Sequence, residues 1–131
     1  MGAVALDHMQ LAMPRGAEDE AREFYVGLLG LVERPKPPVL AARGGCWFAL
    51  PGSASAVGEI HLGVEEPFTP ARKAHPGLLV DDLDALLAAL ARAGLPYTPD
   101  DSIEGVRRGH TADPFGNRVE LIAAGPVSDR A

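Results

Sequence analysis

The stretch Asp113-Pro-Phe-Gly-Asn-Arg-Val-Glu-Leu-Ile122 predicts a tight turn that leads into a short β-strand. Pro114 presets the backbone φ angle that a turn needs, and Gly116 and Asn117 tolerate positive φ, so the chain can reverse direction here. Side chains alternate along the strand that follows, which places Glu120 on the face opposite Val119 and Leu121. A glutamate on a strand is usually a solvated surface residue. Glu120 therefore needs support from the rest of the chain before it becomes a functional candidate.

Histidines in other predicted strands provide that support. The first strand, predicted over residues 4–13, carries His8 on its polar face. The strand that ends at Val64 carries His61 on the face opposite its aliphatic residues, and a strand predicted over residues 73–80 carries His75. Each of these side chains lies on the same kind of face as Glu120.

Composition bounds the possible functions. The chain has 131 residues, of which 47% are hydrophobic, and this is enough for one soluble domain with a real core. The net charge of −6 without a basic cluster argues against nucleic acids and acidic membranes as partners and favours a small-molecule substrate. The sequence has neither a run of about 20 apolar residues nor an amino-terminal signal segment, so we expect a cytoplasmic protein.

The single cysteine, Cys46, limits the chemistry of any metal site. One cysteine forms neither an intrachain disulfide nor a thiolate cluster. A metal would therefore be held by histidine and carboxylate side chains.

An internal repeat determines the predicted architecture. His8 matches His75 at a spacing of 67 residues, Gly30 matches Gly94 at 64, and His61 matches Glu120 at 59. Helical periodicity follows the first strand of each half, and Gly30 and Gly94 are typical of helix carboxyl ends.

The repeat predicts an α+β fold in which two β-α-β-β-β modules form a curved mixed sheet with helices on its outer face. We expect a single domain over residues 1–131, composed of modules 4–64 and 73–123 and a linker over residues 65–72. Within the first module, residues 39–43 are predicted to add a short strand after two prolines.

The four polar candidates form a consistent set. His8, His61, His75 and Glu120 lie on the first and last strands of the two modules, so equivalent folding of the modules would direct them to one point. Three imidazoles and a carboxylate suit Zn²⁺, Fe²⁺, Ni²⁺, Co²⁺ or Mn²⁺, whereas Ca²⁺ and Mg²⁺ prefer oxygen ligands. For each histidine alone, a hydrogen-bonded core or surface position is the more usual role.

Other candidates surround this set. Arg118 shares the strand face of Glu120 and is predicted to bind an anionic substrate or to orient the Glu120 ligand, with a solvated surface position as the alternative. Trp47 and Phe48 point to opposite faces, so one is expected to line a substrate cleft, for which we choose Trp47, and the other to pack in the core. His110 is interpreted as a structural or exposed histidine, with an acid–base role as the alternative.

Three sequence motifs carry a resemblance to a known superfamily. They are Leu-Asp-His-x-x-Leu at residues 6–11, Phe-Tyr-x-x-x-Leu-Gly-Leu at residues 24–31, and Asp-Pro-Phe-Gly-Asn-x-x-Glu-Leu at residues 113–121. Together with the paired modules, they resemble the vicinal oxygen chelate superfamily. It includes glyoxalase I, extradiol ring-cleavage dioxygenases, methylmalonyl-CoA epimerase, fosfomycin-resistance transferases and bleomycin-resistance proteins. The resemblance spans residues 4–123 and implies a glyoxalase/bleomycin resistance/dihydroxybiphenyl dioxygenase-like fold.

The resemblance also implies site residues. Metal-dependent members carry ligands on the first and last strands of the two modules, which here are His8, His61, His75 and Glu120. Glyoxalase I typically has Glu at the place of His61, and the epimerase has Gln, so His61 is a departure. Gln10 stands where fosfomycin enzymes have Thr. Glu120 and His61 are the predicted catalytic residues, with His61 either a metal ligand or an acid–base group.

Two function classes follow. The first is a metal-dependent lyase, isomerase or dioxygenase that acts on a small oxygen-rich molecule chelated through vicinal oxygens. The alternative is a metal-free small-molecule or antibiotic-binding protein of the bleomycin-resistance type. Family members of this length usually pair their chains, so the resemblance also implies a homodimer with sites shared between chains.

Overall fold

A computed structural model describes residues 1–51 and 58–125 of the chain. The chain divides into two compact units, unit 1 (Met1–Pro70) and unit 2 (Ala71–Ala131). Each unit contains a mixed four-stranded sheet and at least one helix, which confirms the predicted α+β fold of two similar modules. The predicted module boundaries stay a prediction. None of the helices in the described residues is long and apolar enough to cross a membrane.

Unit 1 has the predicted β-α-β-β-β order with one short helix, α2, added between its second and third strands. Its sheet order is β1-β4-β3-β2, with β1 and β4 parallel and the other neighbours antiparallel. Helix α1 continues directly into a π-helical segment, Glu23–Leu28. The elements are β1 His8–Met13, α1 Glu18–Arg22, β2 Val32–Arg34, α2 Pro38–Ala41, β3 Cys46–Ala49 and β4 Glu59–Val64.

The core of unit 1 lies between the π-helical segment and the sheet. Phe24 and Tyr25 are fully buried, and the Tyr25 ring stacks on Phe48 with the ring centroids 5.2 Å apart. Gly30 follows the segment with a φ of 75°, a conformation that glycine adopts without steric cost. Cys46 is also buried here as a free thiol, and burial raises its pKa to about 11.

The strand predicted over residues 39–43 is wrong. These residues begin in a short helix, α2, instead. Pro38 occupies its first turn, where the fixed φ of proline suits a helix and the missing N–H costs nothing. Helix α2 buries none of its residues. The aliphatic side chains of this segment therefore do not pack on a sheet, as they would in the predicted strand.

Unit 2 repeats the order of strands, with a first strand of 4 residues where unit 1 has 6. Its sheet order is β5-β8-β7-β6, again with a parallel first pair. Asp82 caps α3 by accepting a hydrogen bond from the Ala85 N–H at 3.0 Å, and Gly94 follows the helix with a φ of 74°. The elements are β5 Gly77–Val80, α3 Leu83–Arg92, β6 Thr98–Asp100, β7 Arg108–Ala112 and β8 Arg118–Ala123. His75 therefore lies two residues before β5 and not within it.

The turn before β8 is built by two buried side chains. Asp113 Oδ1 accepts hydrogen bonds from the Phe115 and Asn117 N–H groups, each at 2.9 Å, and its Oδ2 accepts one from Asn117 Nδ2. Asn117 Oδ1 in turn accepts a hydrogen bond from the Ala71 N–H, and the Arg118 N–H donates to the Ala71 carbonyl. The turn therefore fastens the chain at Ala71 to the start of β8.

Candidate metal centre

Three side chains in unit 2 converge with the spacing that a metal ion requires. One ligand atom each from His75, His110 and Glu120 lies within 4.8 Å of the others. His75 Nε2 is 3.0 Å and His110 Nε2 is 3.9 Å from Glu120 Oε1. Among residues 1–51 and 58–125, this is the one group of three or more such side chains that comes so close together.

Strand register brings these residues together. His110 on β7 lies directly opposite Glu120 on β8, and Gly77 on β5 lies opposite Glu120 on its other side. His75 precedes Gly77 by two residues, so its side chain reaches the same position on β8. We refer to His75, His110 and Glu120 as the unit 2 cluster.

Hydrogen bonds identify which ring nitrogen of each histidine carries a lone pair. His75 Nδ1 lies 2.7 Å from the Lys73 carbonyl oxygen, which only accepts, so Nδ1 is the donor and Nε2 faces Glu120 Oε1. Arg118 Nη2 donates to His110 Nε2 at 2.9 Å, so this nitrogen is an acceptor. His75 Nε2, His110 Nε2 and Glu120 Oε1 therefore face one another, and all three are atom types that coordinate metal ions.

Arg108 holds the carboxylate of the cluster. Its Nη1 donates to Glu120 Oε2 at 2.8 Å, and its Nη2 lies 3.1 Å from Asp100 Oδ2. Burial raises the pKa of Glu120, but the contacts from Arg108 and His75 outweigh it and lower the pKa below its ordinary value. Glu120 is therefore an ionised carboxylate whose Oε1 faces the histidines while Arg108 holds its Oε2.

Burial and the charge of Arg118 together lower the pKa of His110. A ring that stays neutral keeps its lone pair, which is the form that binds metals. Two imidazole nitrogens and one carboxylate oxygen match the donor set of borderline divalent ions such as Zn²⁺ and Fe²⁺. The residues present therefore fit such an ion.

The equivalent place in unit 1 holds an aromatic stack. The His61 ring lies between His8 and Trp47, with centroid distances of 4.1 Å to each and interplanar angles of 14° and 6°. These three residues line a pocket of about 490 Å³, together with Arg34 and Gln10.

A buried carboxylate orients His61 in this stack. His61 Nε2 lies 2.8 Å from Glu59 Oε1, and both side chains are less than 10% exposed. Glu59 Oε2 lies 3.2 Å from Arg34 Nη1 but outside hydrogen-bonding geometry. Burial lowers the pKa of His61, an effect that the contact with Glu59 partly opposes. The neutral ring donates through Nε2 and keeps its lone pair on Nδ1.

The sequence model of the Glyoxalase/Bleomycin resistance protein/Dioxygenase superfamily matches residues 5–121. The chain belongs to this superfamily. A glyoxalase family protein from Bacillus anthracis is 41% identical and superposes with a TM-score of 0.83, over 94% of this chain and 97% of that one. No curated protein matches the chain.

More distant solved structures share the fold. The fosfomycin resistance protein FosX from Listeria monocytogenes is 14% identical, with a TM-score of 0.73 over 99% of this chain and 100% of that one. TnmS3, an antibiotic binding protein from Streptomyces sp. CB03234, is 23% identical, with a TM-score of 0.70 over 95% and 99% of the two chains. The same fold therefore occurs in a resistance protein and in an antibiotic binding protein.

The predicted superfamily site residues fall into two groups. His75 and Glu120 meet in unit 2, and Arg118 lies beside them. His8, His61 and Trp47 meet in unit 1, where Phe48 packs in the core as its alternation with Trp47 requires.

Sequence reasoning missed His110 as a member of the cluster. The available signal was its position on the strand that pairs with the strand of Glu120, since a hairpin places residues at matching distances from the turn opposite each other. Arg108 and Glu59, which hold Glu120 and His61, were missed as well.

Proposed function

We propose that the protein is a metal-dependent enzyme that acts on a small oxygen-rich molecule held through two adjacent oxygens, as a lyase, isomerase or dioxygenase. The convergence of His75, His110 and Glu120 carries this proposal. Membership of the superfamily over residues 5–121 supports it, as does the match of two imidazoles and one carboxylate to a borderline divalent ion.

The metal would be Zn²⁺, Fe²⁺, Ni²⁺, Co²⁺ or Mn²⁺, held by His75 Nε2, His110 Nε2 and Glu120 Oε1. When bound, such an ion supplies a Lewis acid that stabilises negative charge on a substrate oxygen. The Lys73 carbonyl fixes the His75 ring, and Arg108 fixes the Glu120 carboxylate. The ligand set predicted from sequence, which adds His8 and His61 to His75 and Glu120, draws on both units and stays a prediction.

His61 is our candidate for the acid–base group. Its ring is stacked between His8 and Trp47, and its Nε2–H donates a hydrogen bond to Glu59. A neutral imidazole whose orientation is fixed by a carboxylate can take a proton from a substrate at Nδ1 and return it to a neighbouring atom. Glu120, the other predicted catalytic residue, is assigned to holding the ion.

Metal analysis tests the proposal. Protein without a histidine tag is stripped with a chelator, incubated with each of the five ions, desalted and analysed for metal. We expect about one ion per chain for at least one metal, because a site of three oriented ligands retains its ion. Less than about 0.2 ion per chain with every metal would contradict an enzyme that depends on this site.

Oxygen uptake distinguishes the reaction classes. The Fe²⁺-loaded and Mn²⁺-loaded protein is tested with catechols in an oxygen electrode. Consumption of oxygen that the Glu120→Ala variant lacks identifies a dioxygenase. Metal retention without oxygen uptake favours the lyase or isomerase class.

A second candidate function is the metal-free binding of a small molecule or antibiotic. The stack of His8, His61 and Trp47 in a pocket of about 490 Å³ favours it, because aromatic faces bind planar ligands. Trp47 is the single tryptophan of the chain, so its fluorescence reports directly on this pocket. Bleomycin binding that quenches this fluorescence equally in wild type and Glu120→Ala, without metal, would support this function.

Two further features stay predictions from the sequence. One is the homodimer with sites shared between chains, and the other is the cytoplasmic location. The mass of the protein in solution tests whether it is a dimer.

A further inference from the structure

Beside the unit 2 cluster lies a pocket of about 330 Å³. Its polar lining includes Arg72, Arg118, His110 and Thr98, and Pro96 and Ala112 contribute apolar surface. The pocket and the cluster share His110. A ligand in the pocket would therefore lie next to the candidate metal centre.

Two of the lining residues are arginines, Arg72 and Arg118. In the part of the chain that the structure describes, neither Arg72 nor Arg118 forms an ion pair, whereas Arg108 pairs with both Glu120 and Asp100. Arg118 instead donates to two neutral acceptors, His110 Nε2 at 2.9 Å and the Arg72 carbonyl at 3.5 Å. A guanidinium whose partners are neutral and whose pocket is open is suited to bind an anion.

Backbone contacts hold these two arginines next to each other. The Ala71 N–H donates to Asn117 Oδ1, and the Arg118 N–H donates to the Ala71 carbonyl at 2.8 Å. Arg72 directly follows Ala71 in the chain, and Arg118 directly follows Asn117. The buried turn therefore fixes the origins of both side chains at one wall of the pocket.

The contact between Arg118 and His110 competes with metal binding. His110 Nε2 has one lone pair, which accepts either the Arg118 proton or a metal ion. A guanidinium 2.9 Å from a ligand atom also repels a divalent cation. Arg118 must leave His110 before all three residues of the cluster can hold an ion.

We propose that metal binding at the unit 2 cluster releases Arg118 from His110, and that the freed guanidinium binds an oxyanion group of the substrate together with Arg72. The oxyanion is a carboxylate, phosphate or phosphonate. This inference rests on the proposed function and narrows it to anionic substrates.

Local charge agrees with an anionic substrate. Around the cluster, the positive charges of Arg108 and Arg118 balance the negative charges of Glu120 and Asp100. A divalent ion would leave this group with two excess positive charges, and Arg72 adds a third at the pocket wall. An oxyanion bound by Arg72 and Arg118 reduces that excess, so metal and anion each strengthen the binding of the other.

Titration with Co²⁺ tests the coupling, with visible absorption as the readout of coordination. Wild type, Arg118→Ala and Arg107→Ala are titrated in chloride and in sulfate or acetate at equal ionic strength. Arg107 is the matched control, because its removal takes the same charge from unit 2 but its guanidinium pairs with exposed Asp84. Circular dichroism verifies that each variant is folded.

We expect sulfate or acetate to tighten Co²⁺ binding to wild type about fivefold. Without these anions, Arg118→Ala should bind Co²⁺ on the order of tenfold more tightly than wild type, because the competitor for His110 is gone. The anion effect should disappear in Arg118→Ala and persist in Arg107→Ala. A larger effect of sulfate indicates a tetrahedral oxyanion, and a larger effect of acetate indicates a carboxylate.

Two results would overturn the inference and leave the proposed function intact. One is equal Co²⁺ affinity of Arg118→Ala and wild type, and the other is an anion effect that survives in Arg118→Ala. If wild type bound neither Co²⁺ nor any one of the other four ions, both the proposed function and this coupling would be contradicted.

Discussion

The two units have the same strand register but place different chemistry on it. Gln10 lies opposite His61 in unit 1 as Gly77 lies opposite Glu120 in unit 2. His61 lies on β4 and Glu120 on β8. From the neighbouring strand on the other side, Trp47 of β3 faces His61 as His110 of β7 faces Glu120. The sequence positions thus correspond as the following pairs: His8 with His75, Trp47 with His110, His61 with Glu120, and Glu59 with Arg118.

Two of these pairs give the two units different chemistry. Where unit 2 has His110, unit 1 has Trp47, which offers no lone pair for a metal. Where unit 2 has the cation Arg118, unit 1 has the anion Glu59. The shared backbone thus defines where side chains meet, and a few substitutions decide what they do there.

The largest expected effect is on metal binding, in which variants of Glu120 and of its counterpart His61 should differ. Glu120→Ala should weaken metal binding by at least about 100-fold. Removing a residue that only hydrogen-bonds to a metal ligand already lowers metal affinity about 10–100-fold, and Glu120 is itself a proposed ligand. His61→Ala should leave metal content unchanged if the unit 2 cluster is the whole site. Metal per chain after desalting measures both.

His110→Ala sharpens the same experiment. The unit 2 cluster predicts a loss comparable to that of Glu120→Ala, whereas the four ligands predicted from sequence do not include His110. Loss of metal in His61→Ala with retention in His110→Ala would favour the sequence-based set over the cluster.

An intermediate effect is expected when the buried pair of unit 1 is broken. Glu59→Ala leaves the buried His61 Nε2–H without its acceptor, which should cost about 1–3 kcal/mol of unfolding free energy. Thermal or urea denaturation of the metal-free protein measures this loss. The control is Asp84→Ala, which removes an exposed carboxylate paired with Arg107 and should shift the transition little. Equal shifts in the two variants would show that the Glu59–His61 contact does not stabilise unit 1.

The smallest effect concerns the pH dependence of stability. The pKa values of His61 and His110 are lowered in the folded protein, so the unfolded chain binds these protons first as the pH falls below about 6.5. Unfolding therefore takes up protons, and stability should decrease from about pH 6.5 down to the folded pKa values.

Histidine proton NMR of the metal-free protein separates the two units. In Arg118→Ala, the pKa of His110 should rise toward its ordinary value because a nearby positive charge is lost, while that of His61 should not change. A shift of both histidines, or of neither, would contradict the assignment of Arg118 to unit 2 chemistry alone.

Most of the fold could be predicted from local patterns. Alternation identified the strands of His8, His61 and Glu120, and helical spacing with Asp82 and Gly94 bounded α3. The strand predicted over residues 39–43 failed because short aliphatic runs after prolines fit a helix start equally well.

The candidate site was predictable only in part. Histidines and a carboxylate at equivalent positions of a repeat identified His75 and Glu120. His110 required knowledge of which strand pairs with β8 and in what register, which is a long-range property. The partners Arg108 and Glu59 became evident only through side-chain distances, because arginines and glutamates are common on exposed strands.

The burial of Cys46 has a practical consequence for labelling. A thiol with a pKa of about 11 is almost entirely protonated at neutral pH and lies beyond the reach of maleimide reagents. Because the chain has no other cysteine, one introduced at an exposed residue, such as Ile103 in unit 2, would react alone in the native protein. A fluorophore there, with Trp47 as a natural donor in unit 1, would give a spectroscopic ruler that needs no background mutation.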